Sequence, residues 1–366
     1  MTTRLNTQIS MSDPGDVLAA LPHMIGFNPV NSFVLLTLHE LTGTPKFGMT
    51  MRVDLPCPSN ACAFGEFLLT GPLNRNNAEG VILVVVGDKP NYSGCPESCG
   101  GRCHESDEPG PDSEPPMLGL IDVVRKTLLQ AGIVTAHALH VPEIAAGEKW
   151  RCYFDEGCRG VVADPKESAM GAVMAAEGTV TFGSRDELRE LVAPESHEVI
   201  SRWSAKLDAL AEEAIDSYDP SRVTEDLRKV FGAIQRIAGG SALTEDDLLG
   251  VLHAVADTRV RDIVMGTALS ELARPAEELW LTLVRKAPDP ELAEVAALLA
   301  FSAYVRGEGA LAGVALERIE KARPGHTLGI LLRQAMDSGI PPAELAVIAR
   351  HSVDDAQLLL DEDGGC

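Results

Sequence analysis

Residues 80–87, GVILVVVG, constrain this chain more than any other stretch. A continuous β-branched run of strand length, bounded by glycines, is the pattern of a strand covered on both faces; a half-exposed strand alternates instead. The run predicts an interior strand, and with it a sheet that has packed layers on either side.

The flanking sequence supplies the partners. Residues 32–38 read as a second, mostly buried strand, 47–55 (FGMTMRVDL) as an alternating third and 133–141 (IVTAHALHV) as a fourth, with 149–154 a short strand across a turn. Asp13 is placed to cap a helix whose first position is Pro14, and Val17, Leu18 and Leu21 form its apolar face. Pro22 is expected to break or end that helix, and residues 26–29 (GFNP) to form a loop. A short helix is expected within 57–70 and an amphipathic one over 118–131, stopped by Gly132, while 167–177 fits helix or loop. Alternating β and α units predict an α/β fold, a layered sheet domain over residues 1–194. Strand order stays open, and an antiparallel edge is compatible with it. Within this domain residues 88–116 are rich in Gly, Pro, Ser and acidic residues and predict an exposed, mobile loop.

Residues 184–191 open on Ser184 with Glu187 three positions on, the pattern of a capping box. From about residue 195 the periodicity is helical, over 196–216, 220–238, 244–256, 259–271, 275–286, 290–305, 308–322, 325–338 and 341–350. A helical domain is therefore expected over 195–360, with a disordered tail at 361–366. Its most regular part, 290–323, places Ala300 and Ala312 beside Leu299 and Leu316 and is closed by Pro324. That pattern resembles one tetratricopeptide-type helix pair of about thirty-four residues, and an ordinary bundle fits the same residues.

Charge narrows the partners. With 54 acidic against 31 basic residues the formal charge is −23, and no dense Lys/Arg stripe is present. Such a field repels nucleic acid and anionic membrane, so no direct nucleic-acid binding is expected. The first residues lack the basic-then-apolar pattern of a signal peptide, and no run approaches membrane-span length. The expected location is the cytoplasm, where the eight cysteines would be mostly reduced.

Three groups carry candidate chemistry. Cys95, Cys99, Cys103 and His104, in GCPESCGGRCH, are soft donors suited to zinc, although their spacing is not the paired CxxC of a structural knuckle. Incidental surface thiols explain the same residues. His23 and Asn28 lie in the turn that feeds the first strand; a His held there could act as a base, with Asp54 at a strand terminus and Arg151 for an anionic group. The plainer reading is that His23 and Asn28 satisfy backbone groups in a Pro-locked turn. Trp150, Arg151, Cys152 and Cys158 form a patch that reads either as a site after a strand or as a hairpin edge whose Trp covers the core. His137 and His140 lie three apart in a strand and so face opposite ways. Nucleotide-binding glycine loops, HExxH and GxSxG are absent.

The segments PGDVLAALPHMIGFNPVNSFVLLTL (14–38), VILVVVGD (81–88), WRCYF with the following cysteine (150–158), MAAEGTVTFGSRDEL (174–188) and 298–342 together resemble an uncharacterised actinobacterial family, domain-of-unknown-function family 4192. The resemblance spans nearly the whole chain. It implies the same fold outline and a cysteine patch after Trp150, of which Cys152 and Cys158 are present here; it implies no activity. The resulting expectation is a cytoplasmic interaction or regulatory protein that meets a protein partner through its helical domain. The alternatives are an enzyme acting on a small or phosphorylated substrate at the strand ends, with His23, Asp54, Asn28 and Arg151, and a zinc-binding module on the 95–104 loop.

Overall fold

In the computed structural model, which describes residues 13–42, 45–89, 95, 114–176, 178–215, 222–347 and 349–350, the chain divides into two compact units, Met1–Arg185 and Asp186–Cys366. The first is built on β3 (Gly80–Val86), buried along its whole length as its composition requires. Its neighbours are β1 (Ser32–His39) and β4 (Val134–Val141), and β2 (Lys46–Asp54), β5 (Lys149–Cys152) and β6 (Arg159–Val161) complete one sheet in the order β2-β1-β3-β4-β5-β6. Only β3 and β4 run parallel; every other neighbouring pair is antiparallel. A parallel pair needs a long crossover, and the segment between β3 and β4 contains α3 (Leu118–Gln130), with Gly132 in the left-handed region just beyond it.

The period of two sorts the strand residues into two cores. Val34, Leu36, Val84, Val86, Leu139 and Val141 pack with Val17, Leu18 and Leu21 of α1 (Pro14–Ile25). Phe33, Leu35, Leu83, Val85 and Ala138 pack on the opposite face with Leu68 of α2 (Ala61–Leu68) and with Leu120, Ile121, Val124 and Leu128 of α3.

Asp13 caps α1 as expected, its carboxylate accepting from the Gly15 N–H at 2.6 Å. Pro22 does not end the helix. It lies in the last turn, where it forgoes one N–H bond, and its carbonyl accepts from the Gly26 N–H at 2.8 Å; Gly26, at φ 97°, is the terminator. The 57–70 region is a 3-10 turn (Pro58–Asn60), α2 and a π turn (Leu69–Leu73). Residues 169–176, left open by their composition, form α4. The short β6 was not apparent from hydropathy. Most of the 88–116 segment lies outside the described residues.

The boundary helix α5 (Arg185–Glu190) is followed by α6 (His197–Ile215), α7 (Arg222–Ala238), α8 (Glu245–Ala254), α9 (Thr258–Val264), α10 (Ala273–Lys286), α11 (Leu292–Val305), α12 (Gly309–Ala322) and α13 (Thr327–Asp337). No strand occurs among the described residues of this second unit. Its centre is α11, buried on all sides from Leu292 to Tyr304 and packed along α12. The acidic residue on α11 that this burial encloses, Glu294, accepts from Arg261 at 2.7 Å, Arg323 at 3.1 Å and His326 Nε2 at 3.0 Å. His326 Nδ1 accepts from the Gly329 N–H, capping α13, so the proton sits on Nε2 and is donated to Glu294. Burial pushes the Glu294 carboxyl up, but these donors outweigh it and hold it below the usual glutamate range.

Two stability outcomes follow from this packing. Leu83→Ala in the fully buried β3 should cost about 2–5 kcal/mol, whereas Val161→Ala, at a position 58% exposed, should stay within about 0.5 kcal/mol, both read from urea unfolding midpoints. Glu294→Ala strands buried donors and should cost about 3–5 kcal/mol. Because the Glu294 carboxyl is depressed in the fold, its contribution is present above the unfolded glutamate pKa and lost as the pH falls through the folded value.

Candidate functional site

The strand-end residues are held by separate sets of contacts. His23, in the last turn of α1, has both ring nitrogens engaged: Nε2 lies 2.8 Å from the Pro165 carbonyl and Nδ1 2.8 Å from Thr181 Oγ1. A carbonyl only accepts, so the proton is on Nε2 and Nδ1 accepts from the hydroxyl. Gly171 lies against this ring, where a Cβ would approach within 2.7 Å. His23 thus stitches α1 to the 165–181 segment. Asn28 donates its backbone N–H to Phe182 at 3.1 Å, and its Oδ1 is buried with no partner among the described residues. Asp54 pairs with Arg52, which also donates to Ser32 Oγ at 2.7 Å and lies over the Phe27 ring. His23, Asn28 and the Arg52–Asp54 pair therefore gather around the turn before β1. Arg151 is on β5, four inter-strand spacings from β2 or roughly 19 Å, so the four side chains do not share one pocket.

Arg151 faces His140 across the β4–β5 ladder. The His140 ring is buried and its Nε2 lies 2.9 Å from Asp88, just past the carboxyl end of β3. Burial holds His140 below its ordinary pKa against the pull of Asp88. Beside it, the buried Tyr153 donates its hydroxyl to the Pro116 carbonyl at 2.6 Å, which fastens the hairpin to the start of α3.

The other sheet face is chemically more open. As their spacing requires, His137 points away from His140, toward the α1 side, and there it meets a thiol. Cys152 stands opposite Leu139 in the ladder, two residues from His137 and on the same face. Cys152 and Cys158 end facing arms of the β5–β6 hairpin, and the Cys152 N–H donates to the Cys158 carbonyl at 2.8 Å. Both are free and partly exposed, and both pack against the α1-side core. Trp150 closes this core beside them, its Nε1–H donating to Val161 O at 3.2 Å; the hairpin-edge reading of the patch therefore holds as well.

Burial pushes the Cys152 thiol up. A hydrogen bond from His137 and further ones from the backbone at Phe154, Ala138 and Asp155 outweigh it and bring the group down to about 7. His137 and Ala138 come from β4 and Phe154 and Asp155 from the hairpin turn, so these donors favour a sulfur anion from two sides. Cys158 moves the opposite way, raised by burial and then by the neighbouring Cys152 charge, with Asp155 and Asp13 adding to it. The two thiols are therefore driven apart: Cys152 is drawn toward its ionised form near neutral pH, and Cys158 is held toward its protonated form. Asp88 and the pairing of His137 with Cys152 went unseen in the sequence, where only the register of β4 on β5 would have revealed the second.

Of the proposed zinc donors, Cys95 is partly buried, while Cys99, Cys103 and His104 lie outside the described residues. Among the described residues no group of three or more His, Cys, Asp or Glu is placed to hold a metal ion, and no helix is long and apolar enough to cross a membrane.

Compared with known proteins, residues 14–343 match the model of a family described as Domain of unknown function (DUF4192). No curated protein and no solved structure matches the chain.

Proposed function

Since the chain belongs to the DUF4192 family, whose description assigns no activity, its function has to be read from its own residues, and we propose that it is a regulatory protein of the reducing cytoplasm that responds to thiol-reactive compounds through Cys152. The observation that carries this reading is the Cys152 thiol, partly exposed and brought down to about 7 by His137 and the hairpin backbone. A thiol of ordinary acidity is a few per cent ionised at neutral pH; this one is about half ionised and correspondingly more reactive. Buried structural cysteines behave differently, as small hydrophobes that stay protonated. The helical unit is the surface offered to a protein partner. The charge of −23 favours a protein over a nucleic acid in that role.

Alkylation of the full chain by iodoacetamide, followed at Cys152 by mass spectrometry across pH 5.5–10, tests the reading. The rate should rise with a midpoint near pH 7 and level off above it, and His137→Asn should move the midpoint upward by about a unit. A midpoint near that of an unperturbed thiol in the wild-type chain removes the proposal.

A second reading, an enzyme acting on a small or phosphorylated substrate at the strand ends, draws on the Asp88–His140 pair with Arg151 on the facing rung. Open α/β sheets place ligands beyond the carboxyl ends of parallel strands, and Asp88 follows β3 directly. Inorganic phosphate raising the melting temperature of the wild-type chain but not of Arg151→Ala supports it; no shift in either chain removes it.

A further inference from the structure

We propose that Cys158 is the resolving partner of Cys152, so that the β5–β6 hairpin takes low-molecular-weight disulfides as its substrate and ends as an intramolecular Cys152–Cys158 disulfide. The inference rests on the reading of Cys152 as the reactive thiol and adds the class of reactant and the fate of the adduct.

Register carries it. Arg151 pairs with Arg159, and the next rung brings Cys152 opposite Cys158, tied by the 2.8 Å bond from the Cys152 N–H to the Cys158 carbonyl. Facing residues of antiparallel strands have Cα atoms roughly 4.5–5.5 Å apart, inside the span a disulfide bridges without backbone movement. Both side chains lie on the α1 side of the sheet and pack against one core. The turn between them is closed by the Cys158 N–H on the Asp155 carbonyl at 3.1 Å and by the Gly157 N–H on the Asp155 carboxylate at 2.9 Å. The two sulfurs are thus presented to each other by a turn that is already formed.

The steps balance. The Cys152 thiolate attacks one sulfur of RSSR; a Cys152–S–SR bond forms, the RS–SR bond breaks, and RS⁻ leaves to be protonated by solvent. Cys158 then loses its proton to solvent and attacks the Cys152 sulfur, expelling the second RS⁻. The two protein sulfurs are oxidised and the small disulfide is reduced to two RSH. The order is built into the electrostatics: the Cys152 charge helps hold Cys158 protonated. Forming the mixed disulfide removes that charge and frees Cys158 to ionise as the second nucleophile.

The test uses the full-length reduced chain and oxidised glutathione. Cleavage after Arg151 and Arg159 releases both thiols on one peptide, residues 152–159. In the wild-type chain this peptide should lose two hydrogens in mass and carry no glutathione, whereas Cys158→Ser, or Cys158→Ala where a hydroxyl is poorly accommodated, should retain one glutathione on Cys152. Wild-type protein that keeps glutathione on Cys152 to the same extent as the Cys158 variants overturns the resolving role and leaves the reactive Cys152 standing. No modification of Cys152 in any of these chains overturns both.

Discussion

The sheet unit depends on keeping β3 dry on both faces. Its burial is complete from Gly80 to Val86, and no polar side chain interrupts it. Such a strand needs hydrogen-bonding neighbours on both edges and an apolar layer above and below. The edges are met by antiparallel β1 and parallel β4. The faces are met by α1 on one side and by α2 and α3 on the other. The parallel neighbour brings its own requirement, a crossover, and the connection that contains α3 is the one that returns the chain to β4. Burying one apolar run therefore accounts for the order of the central strands and for the division of the helices between the faces.

The same period of two distributes the chemistry. His137 and His140 leave β4 on opposite faces, so one meets Cys152 and the other meets Asp88 and Tyr153. Which thiol meets which histidine is a matter of register: a slip of one residue between β4 and β5 would present Arg151 to His137 in place of Cys152. That register is held by the Trp150 ring in the α1-side core and by Tyr153 fastened to Pro116. The polar cluster on the α3 face thus serves the thiol site on the α1 face by fixing the hairpin that carries it.

Much of the fold was legible in the chain, and the reasons differ by element. β3 announced itself because its run is long, β-branched and unbroken. α1 was legible at its start, where Asp13 and Pro14 are local signals, but not at its end. A proline in the last turn costs only one hydrogen bond, and Gly26 outranks it as a terminator. β6 was hidden because three residues with one exposed valine have no hydropathy signature; it exists through its pairing with β5. The site was less legible still. Cys152 and Cys158 stood out as residues, but the acidity of Cys152 comes from His137, fifteen positions upstream, and from backbone N–H groups that point inward only once the turn has formed. His23 drew attention as a polar residue in a rigid turn, yet the contacts that occupy it come from residues 165 and 181, beyond the reach of local pattern.

The short span between the two thiols bears on what a bond between them would do. A disulfide stabilises a fold chiefly by restricting the unfolded chain, and the restriction grows with the length of the loop it closes. The loop from Cys152 to Cys158 is already closed by a hairpin, so joining its ends adds little to the fold. A cross-link with little stabilising effect is correspondingly easy to reduce, because reduction then gives up little folding free energy. Cys57 marks the contrast: it is buried and engaged with Ser59 Oγ at 3.0 Å, in the role of a small packing residue. The hairpin pair has the opposite attributes of partial exposure, a thiol of lowered pKa and a partner thiol facing it on the same rung. Those attributes suit a bond made and broken within the life of the protein better than one that holds its structure together.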